Sequence, residues 1–162
     1  FSDEIQIAVY ALNVKIGNAP TIVSDNPYLA GLSGILIDRN NNPVDANKLK
    51  GKYLLVYFSA HWCGPCCAFT PKLVEFYNKN GGGDRFEVVF MSADQDEASM
   101  LGYMTEMTMP WTAVVFDKVE LCSLKDFSPR GIPHLVLLDP KGAVLEKGQS
   151  DVLDTLLEKL KK

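Results

Sequence analysis

No stretch of this 162-residue chain approaches the roughly 20 consecutive apolar residues that a membrane-spanning helix needs, so no membrane span is read in it. Long basic runs are also missing, and the formal net charge is −4. Neither offers the positive face that nucleic acid demands. The one lysine cluster, Lys159, Lys161 and Lys162, closes a helical pattern, where it complements the macrodipole. Cysteine is scarce: there are four, and three of them fall at 63, 66 and 67. That is not the spread of a secreted disulfide framework, so a reducing compartment is expected, the cytoplasm first and the nucleus second. Internal repeats and low-complexity tracts are absent. The chain opens at Phe1 with no Met, basic segment or apolar leader, as expected of a piece of something longer.

What is present supports one core. The chain is 47% hydrophobic, enough for a single domain of this length. Ile5, Ile7 and Val9 alternate with polar or small residues, which predicts a strand, and residues 17–27 read as loop. A short strand is predicted over 34–38, followed by an Asn-rich turn. Residues 53–59 form a nearly continuous apolar run, the mark of a strand covered on both faces, and 86–91 form another. Between them Phe69, Leu73, Phe76 and Tyr77 recur at helical spacing until three glycines end the pattern, with Pro71 expected to kink it. Met100, Leu101, Met104 and Met107 give a second helical face, read as core packing. A third strand is predicted over 112–116 and a short helix over 119–126. Asp139-Pro140-Lys141-Gly142 reads as the turn of a hairpin, and Ser150 as the cap of a last amphipathic helix. This alternation predicts an α/β sandwich with a mixed sheet.

The most informative feature is Cys63-Gly64-Pro65-Cys66, placed where the apolar strand gives way to helix-compatible sequence. A thiol at a helix N-terminus meets unpaired backbone N–H groups and the positive end of the macrodipole, which favour thiolate. Cys63 is therefore read as the nucleophile, the more acidic and exposed of the pair, and Cys66, one turn later, as the resolving thiol. The chemistry is thiol–disulfide exchange. Cys-x-x-Cys is also half of many zinc sites, and His61 and Cys67 adjoin it. The remaining donors, Cys122 and His134, do not form the second closely spaced pair that such a site needs, so neither metal nor bound cofactor is expected. Cys122 reads as an inert buried thiol.

The neighbours tune the pair. Pro65 preorganises the turn and Gly64 lets a partner backbone approach. Trp62 reads either as a surface contact for substrate or as a core aromatic. Ile132-Pro133 has two readings as well: an ordinary loop proline, or a cis bend presenting the Ile132 backbone to a bound peptide. His61 either modulates thiol acidity by charge or is an uninvolved surface side chain.

Trp62-Cys63-Gly64-Pro65-Cys66 with Ile132-Pro133 downstream resembles the thioredoxin superfamily. The phrases Tyr57-Phe58-Ser59-Ala60-His61, Phe69-Thr70-Pro71-Lys72-Leu73, Phe86-Glu87-Val88-Val89-Phe90 and Met109-Pro110-Trp111 are similar to its tryparedoxin and nucleoredoxin branch. The resemblance implies a thioredoxin-like three-layer sandwich over 34–162, with 1–33 as an extension of strand plus loop. It also implies a preference for reduction, because Gly64-Pro65 matches thioredoxin where tryparedoxins carry Pro-Pro. Tyr57 stands where thioredoxins bury an Asp, so proton transfer to Cys66 must use another group or water. Asp94 and Arg130 are modulators by resemblance to the tryparedoxin face, or else solvated charges.

The expected function is a monomeric protein-disulfide reductase acting on disulfide-containing proteins, peroxidases among them, with a dithiol or a reductase as electron donor. A tryparedoxin-like role implies a low-molecular-weight dithiol donor. The rival is a redox-sensitive binding module of nucleoredoxin type, and a peroxide-reducing enzyme ranks below both.

Overall fold

Six apolar residues in succession, closed by Ser59, make β2, Tyr53–Ser59, a strand that can only sit inside a sheet with both faces covered. The computed structural model describes residues 24–161, so the strand predicted over 5–9 lies outside the described residues. Within them, the elements run α1 (Tyr28–Leu32), β1 (Leu36–Ile37), β2, α2 (Gly64–Lys79), β3 (Phe86–Ser92), α3 (Glu97–Glu106), β4 (Thr112–Val114), β5 (His134–Leu138), β6 (Val144–Gly148) and α4 (Ser150–Leu160). Three 3₁₀ turns, Ala46–Leu49, Phe116–Leu121 and Ser123–Phe127, interrupt the loops.

The six strands form one mixed sheet in the order β1-β4-β3-β2-β5-β6. β2 and β3 are parallel at its centre, β4 continues parallel to β3, and β1, β5 and β6 run antiparallel to their neighbours. Alternation along β2 divides the interior in two. Leu55 and Tyr57 face α2, α3 and α4 through Phe69, Leu73, Met104 and Leu156. Leu54, Val56 and Phe58 face the opposite layer, which is α1 and the 3₁₀ turns, through Leu29, Leu49 and Leu124. The result is the α/β three-layer arrangement, with one layer built mostly of turns.

Local chemistry explains where elements begin and end. α2 starts with Cys63 as its cap residue and runs unbroken through Pro71 to Lys79. Asp96 caps α3 by accepting from the Ser99 N–H at 2.7 Å. α4 differs from expectation: Ser150 is its first residue rather than its cap, and the Gln149 N–H is satisfied by the Asp151 carboxylate instead. The hairpin turn forms as expected. Asp139 accepts from the Lys141 and Ala143 amides, and Gly142 supplies the positive φ of 90° that closes it. The strand predicted over 112–116 stops at Val114, and the helix over 119–126 is two 3₁₀ turns. Their burial rests on single residues, Val119 and Leu124, too few for a regular amphipathic helix. Among the described residues no helix is long and apolar enough to cross a membrane.

Candidate active site

β2 ends at Ser59 and the chain turns through Ala60, His61 and Trp62 into α2. The Cys63 N–H bonds back to the Ala60 carbonyl at 3.2 Å, which tightens this turn. Cys63 then occupies the cap position in extended conformation, and its sulfur accepts from the Cys66 N–H at 3.3 Å. The sulfur thus takes the place that a Ser or Asp oxygen usually fills at a helix start. Gly64 and Pro65 follow as the first helical residues, both exposed, and the space beyond Gly64 is open. All four cysteines are unbonded, so this is the dithiol form.

The two thiols differ in surroundings. Cys63 keeps 7% of its surface and Cys66 none. Burial foremost, then the hydrogen bond with Cys63, pushes the Cys66 thiol up to about 11, while contacts with Ser59 and the Ala60 backbone pull the other way. Cys67, half-buried, turns outward and donates to the His61 carbonyl at 3.2 Å. Burial, then the nearby Cys63, Glu106 and Asp94, raises its thiol above the ordinary range. Cys122 is buried in the second core, and burial raises its thiol as well.

The Ile132–Pro133 bond is cis. Ile132 packs on Ala60, Cys63 and Cys66, and the Cys63 thiol points at its carbonyl oxygen across 3.8 Å. Gln149 holds the Pro133 carbonyl at 3.0 Å. Trp62 is a surface aromatic, 62% exposed, tied down by its indole N–H donating to the Ala93 carbonyl. Asp94 is buried rather than solvated. Its carboxylate accepts from the His61 amide at 2.8 Å and from the Ser92 hydroxyl at 2.7 Å, which fastens the turn to the end of β3. The His61 ring stacks on Tyr103 and pairs with Glu106 at 2.7 Å. Arg130 is exposed on the loop before the cis bond and makes no ion pair among the described residues.

Behind Cys66 lies a buried hydroxyl chain. Tyr57 meets Thr70 at 2.7 Å, Thr70 meets Tyr103 at 2.6 Å, and Tyr103 meets Ser59 at 2.7 Å. Thr70 stands close to the Cys66 carbonyl, and Ser59 is itself a partner of Cys66. Burial first, with Tyr103 adding to it, drives the Tyr57 phenol well above its usual range, so it stays protonated as a hydrogen-bonding group. A hydroxyl chain thus occupies the region where a carboxylate at position 57 would reach.

The thioredoxin-like family pattern matches residues 51–144, more than half of the chain. The chain belongs to the thioredoxin-like family. It is 40% identical over 131 residues to nucleoredoxin of Xenopus laevis, covering 78% of this chain but only 31% of that protein. The solved tryparedoxin from Trypanosoma brucei superposes with a TM-score of 0.64 at 34% identity, covering 81% of this chain and 88% of that one. A tryparedoxin II complexed with glutathionylspermidine superposes with a TM-score of 0.63 at 27% identity, covering 76% and 85%. Nucleoredoxin and tryparedoxin are thus both among the relatives of this thioredoxin-like chain.

Three participants escape the motif reading: Ser59, Thr70 and Tyr103. Each carried a signal. Ser59 is the polar residue ending an apolar strand, Thr70 falls one helical turn after Cys66, and Tyr103 sits three residues from Met100 on the same helical face. Glu106 carried none, because its link to His61 depends on how α3 meets the turn.

Proposed function

We propose that the chain is a protein-disulfide reductase in which Cys63 attacks and Cys66 resolves. The observation that carries this reading is the Cys63 sulfur at the start of α2, in contact with the Cys66 amide at 3.3 Å and beside the Ile132 carbonyl at 3.8 Å. In the first step the Cys63 thiolate attacks one sulfur of a substrate disulfide. That S–S bond breaks, a Cys63–substrate disulfide forms, and the second sulfur leaves as a thiolate that takes a proton from solvent. In the second step Cys66 gives up its proton and attacks the Cys63 sulfur. The mixed disulfide breaks, and the substrate leaves with its second thiolate, which is then protonated. Two electrons have passed to the substrate, and the protein holds a Cys63–Cys66 disulfide.

Burial keeps Cys66 protonated until that second step, and the Ser59 hydroxyl beside it favours the thiolate as it develops. The cycle needs no bound cofactor, but an external thiol must return two electrons. The tryparedoxin complexed with glutathionylspermidine supports a low-molecular-weight thiol as donor, with a protein reductase as the alternative. Disulfide-bearing proteins, peroxidases included, are the proposed acceptors, in a reducing compartment such as the cytoplasm. The likeness to nucleoredoxin favours a second reading, a redox-sensitive binding module.

Dithiothreitol-driven reduction of insulin separates the two. Turnover by the native chain and its loss in Cys63→Ser is the expected result. A folded native chain without turnover contradicts the reductase and favours the binding module, in which Cys63→Ser changes the lifetime of a complex instead.

A further inference from the structure

Between the second face of the sheet and the two adjoining 3₁₀ turns lies a groove of about 490 Å³, a size usual for ligand sites. Phe58, Met91 and Val119 line it with apolar surface, and Pro129 and Ile132 form part of its wall. Ile132 is the residue whose carbonyl stands 3.8 Å from the Cys63 sulfur. Ala93, another lining residue, accepts the Trp62 indole N–H. The groove therefore abuts the nucleophile, and a chain whose cystine sits at Cys63 can lay a neighbouring side chain into it. Large exposed hydrophobics are few among the described residues. Two of them, Trp62 and Leu121 at 62% and 77% exposure, belong to the segments that bound this region.

Its charge is negative on balance. The ionisable lining residues are Asp94, Asp117, Glu120 and Lys125. Lys125 lies 2.8 Å from Glu120, so those two offset each other. Asp94 bonds to neutral donors, and Asp117, which is exposed, forms no ion pair among the described residues. Lys118 and Arg130 adjoin these residues in sequence but do not line the groove. An apolar floor with the exposed carboxylate of Asp117 at its rim, and a lining that is negative on balance, is complementary to an apolar side chain followed by a cation.

We propose that this groove selects, among disulfide-bearing polypeptides, those with an apolar residue and a Lys or Arg close to the cystine. The proposal rests on the reductase reading and names its substrate class. The test uses two peptide disulfides identical except that Lys residues flanking the apolar position in one are Glu in the other. Their single-turnover reduction by the native dithiol protein is timed at low and high salt. The Lys peptide is expected to react about five-fold faster at low salt, and salt should shrink the ratio. Asp117→Lys and Asp117→Asn should each lower the ratio, whereas Lys125→Gln should raise it. Damage to the fold would lower both rates together and leave the ratio in place. Asp154→Lys, on α4, changes net charge as much as Asp117→Lys and should keep the ratio.

Equal rates for the two peptides, or a ratio moved as much by Asp154→Lys as by Asp117→Lys, overturn the groove assignment and leave the reductase standing. Failure to reduce either peptide, or the small neutral hydroxyethyl disulfide, overturns the reductase reading and this proposal with it.

Discussion

The backbone amide of Cys66 points at the sulfur of Cys63 across 3.3 Å, so the proposed resolving residue hangs from the same turn that the proposed nucleophile caps. Ring closure then needs only the Cys66 side chain to swing. Cys67 points away, to the His61 carbonyl, and its raised thiol is a poor competitor at neutral pH. After reaction with one equivalent of a disulfide substrate, peptide mapping should find Cys63 joined to Cys66, with Cys67 and Cys122 still open to alkylation. A dominant Cys63–Cys67 bond would contradict this geometry.

Ser59 stabilises the charged form of Cys66 and links it to Tyr103. Ser59→Ala should therefore raise the Cys66 thiol further and slow release of the second substrate thiol. One lost hydrogen bond to a reacting group corresponds to about 2- to 10-fold at neutral pH. The deficit should narrow as pH rises toward 11, the region where Cys66 ionises unaided. Rapid-quench single turnovers across pH check this, and an unchanged profile would mean that Ser59 does not support the Cys66 thiolate.

Alkali should loosen the fold. The Cys66 thiol moves from an ordinary 9.0 to about 11, and burial also raises Tyr57, Tyr77 and Tyr103. Each group keeps its proton in the folded state at a pH where the unfolded chain has released it. The contribution is thus complete below the unfolded value and is lost as pH climbs to the folded one. Urea midpoints should fall above about pH 9, and Cys66→Ala should flatten the part between 9 and 11.

The helix preceding β1 belongs to the core. Leu29 and Leu32 are fully buried against the face of the sheet that carries Leu54 and Val56. Leu29→Ala should cost about 2–5 kcal/mol in denaturant unfolding. A loss below about 0.5 kcal/mol, the level of an ordinary surface change, would mean that this segment is not part of the cooperative unit.

What could be read in advance was what local sequence encodes. Continuous apolar runs marked β2 and β3, the Met100–Met104 spacing marked α3, and Cys63 to Cys66 marked the junction of strand and helix where the candidate site lies. What could not be read depends on distant packing. α1 is a single turn in polar surroundings, recognisable only once Leu29 and Leu32 meet the sheet. The layer around Val119 and Leu124 lacks helical periodicity, because 3₁₀ turns bury isolated residues. Asp94 read either as a modulator or as a solvated charge, and its burial became visible only when the His61 amide, 33 positions earlier, supplied its partner. Tyr57 advertised the missing carboxylate, yet the hydroxyls standing in that region come from β2, α2 and α3 together.

The most direct test of the exchange mechanism is the intact mass of Cys66→Ser after mixing with a peptide disulfide. Removing the resolving thiol leaves the first step intact and blocks the second. The account expects one stable adduct of the peptide on Cys63, released by dithiothreitol. No adduct, or one carried by Cys67 while Cys63 stays free, would contradict the assignment of Cys63 as the attacking thiol.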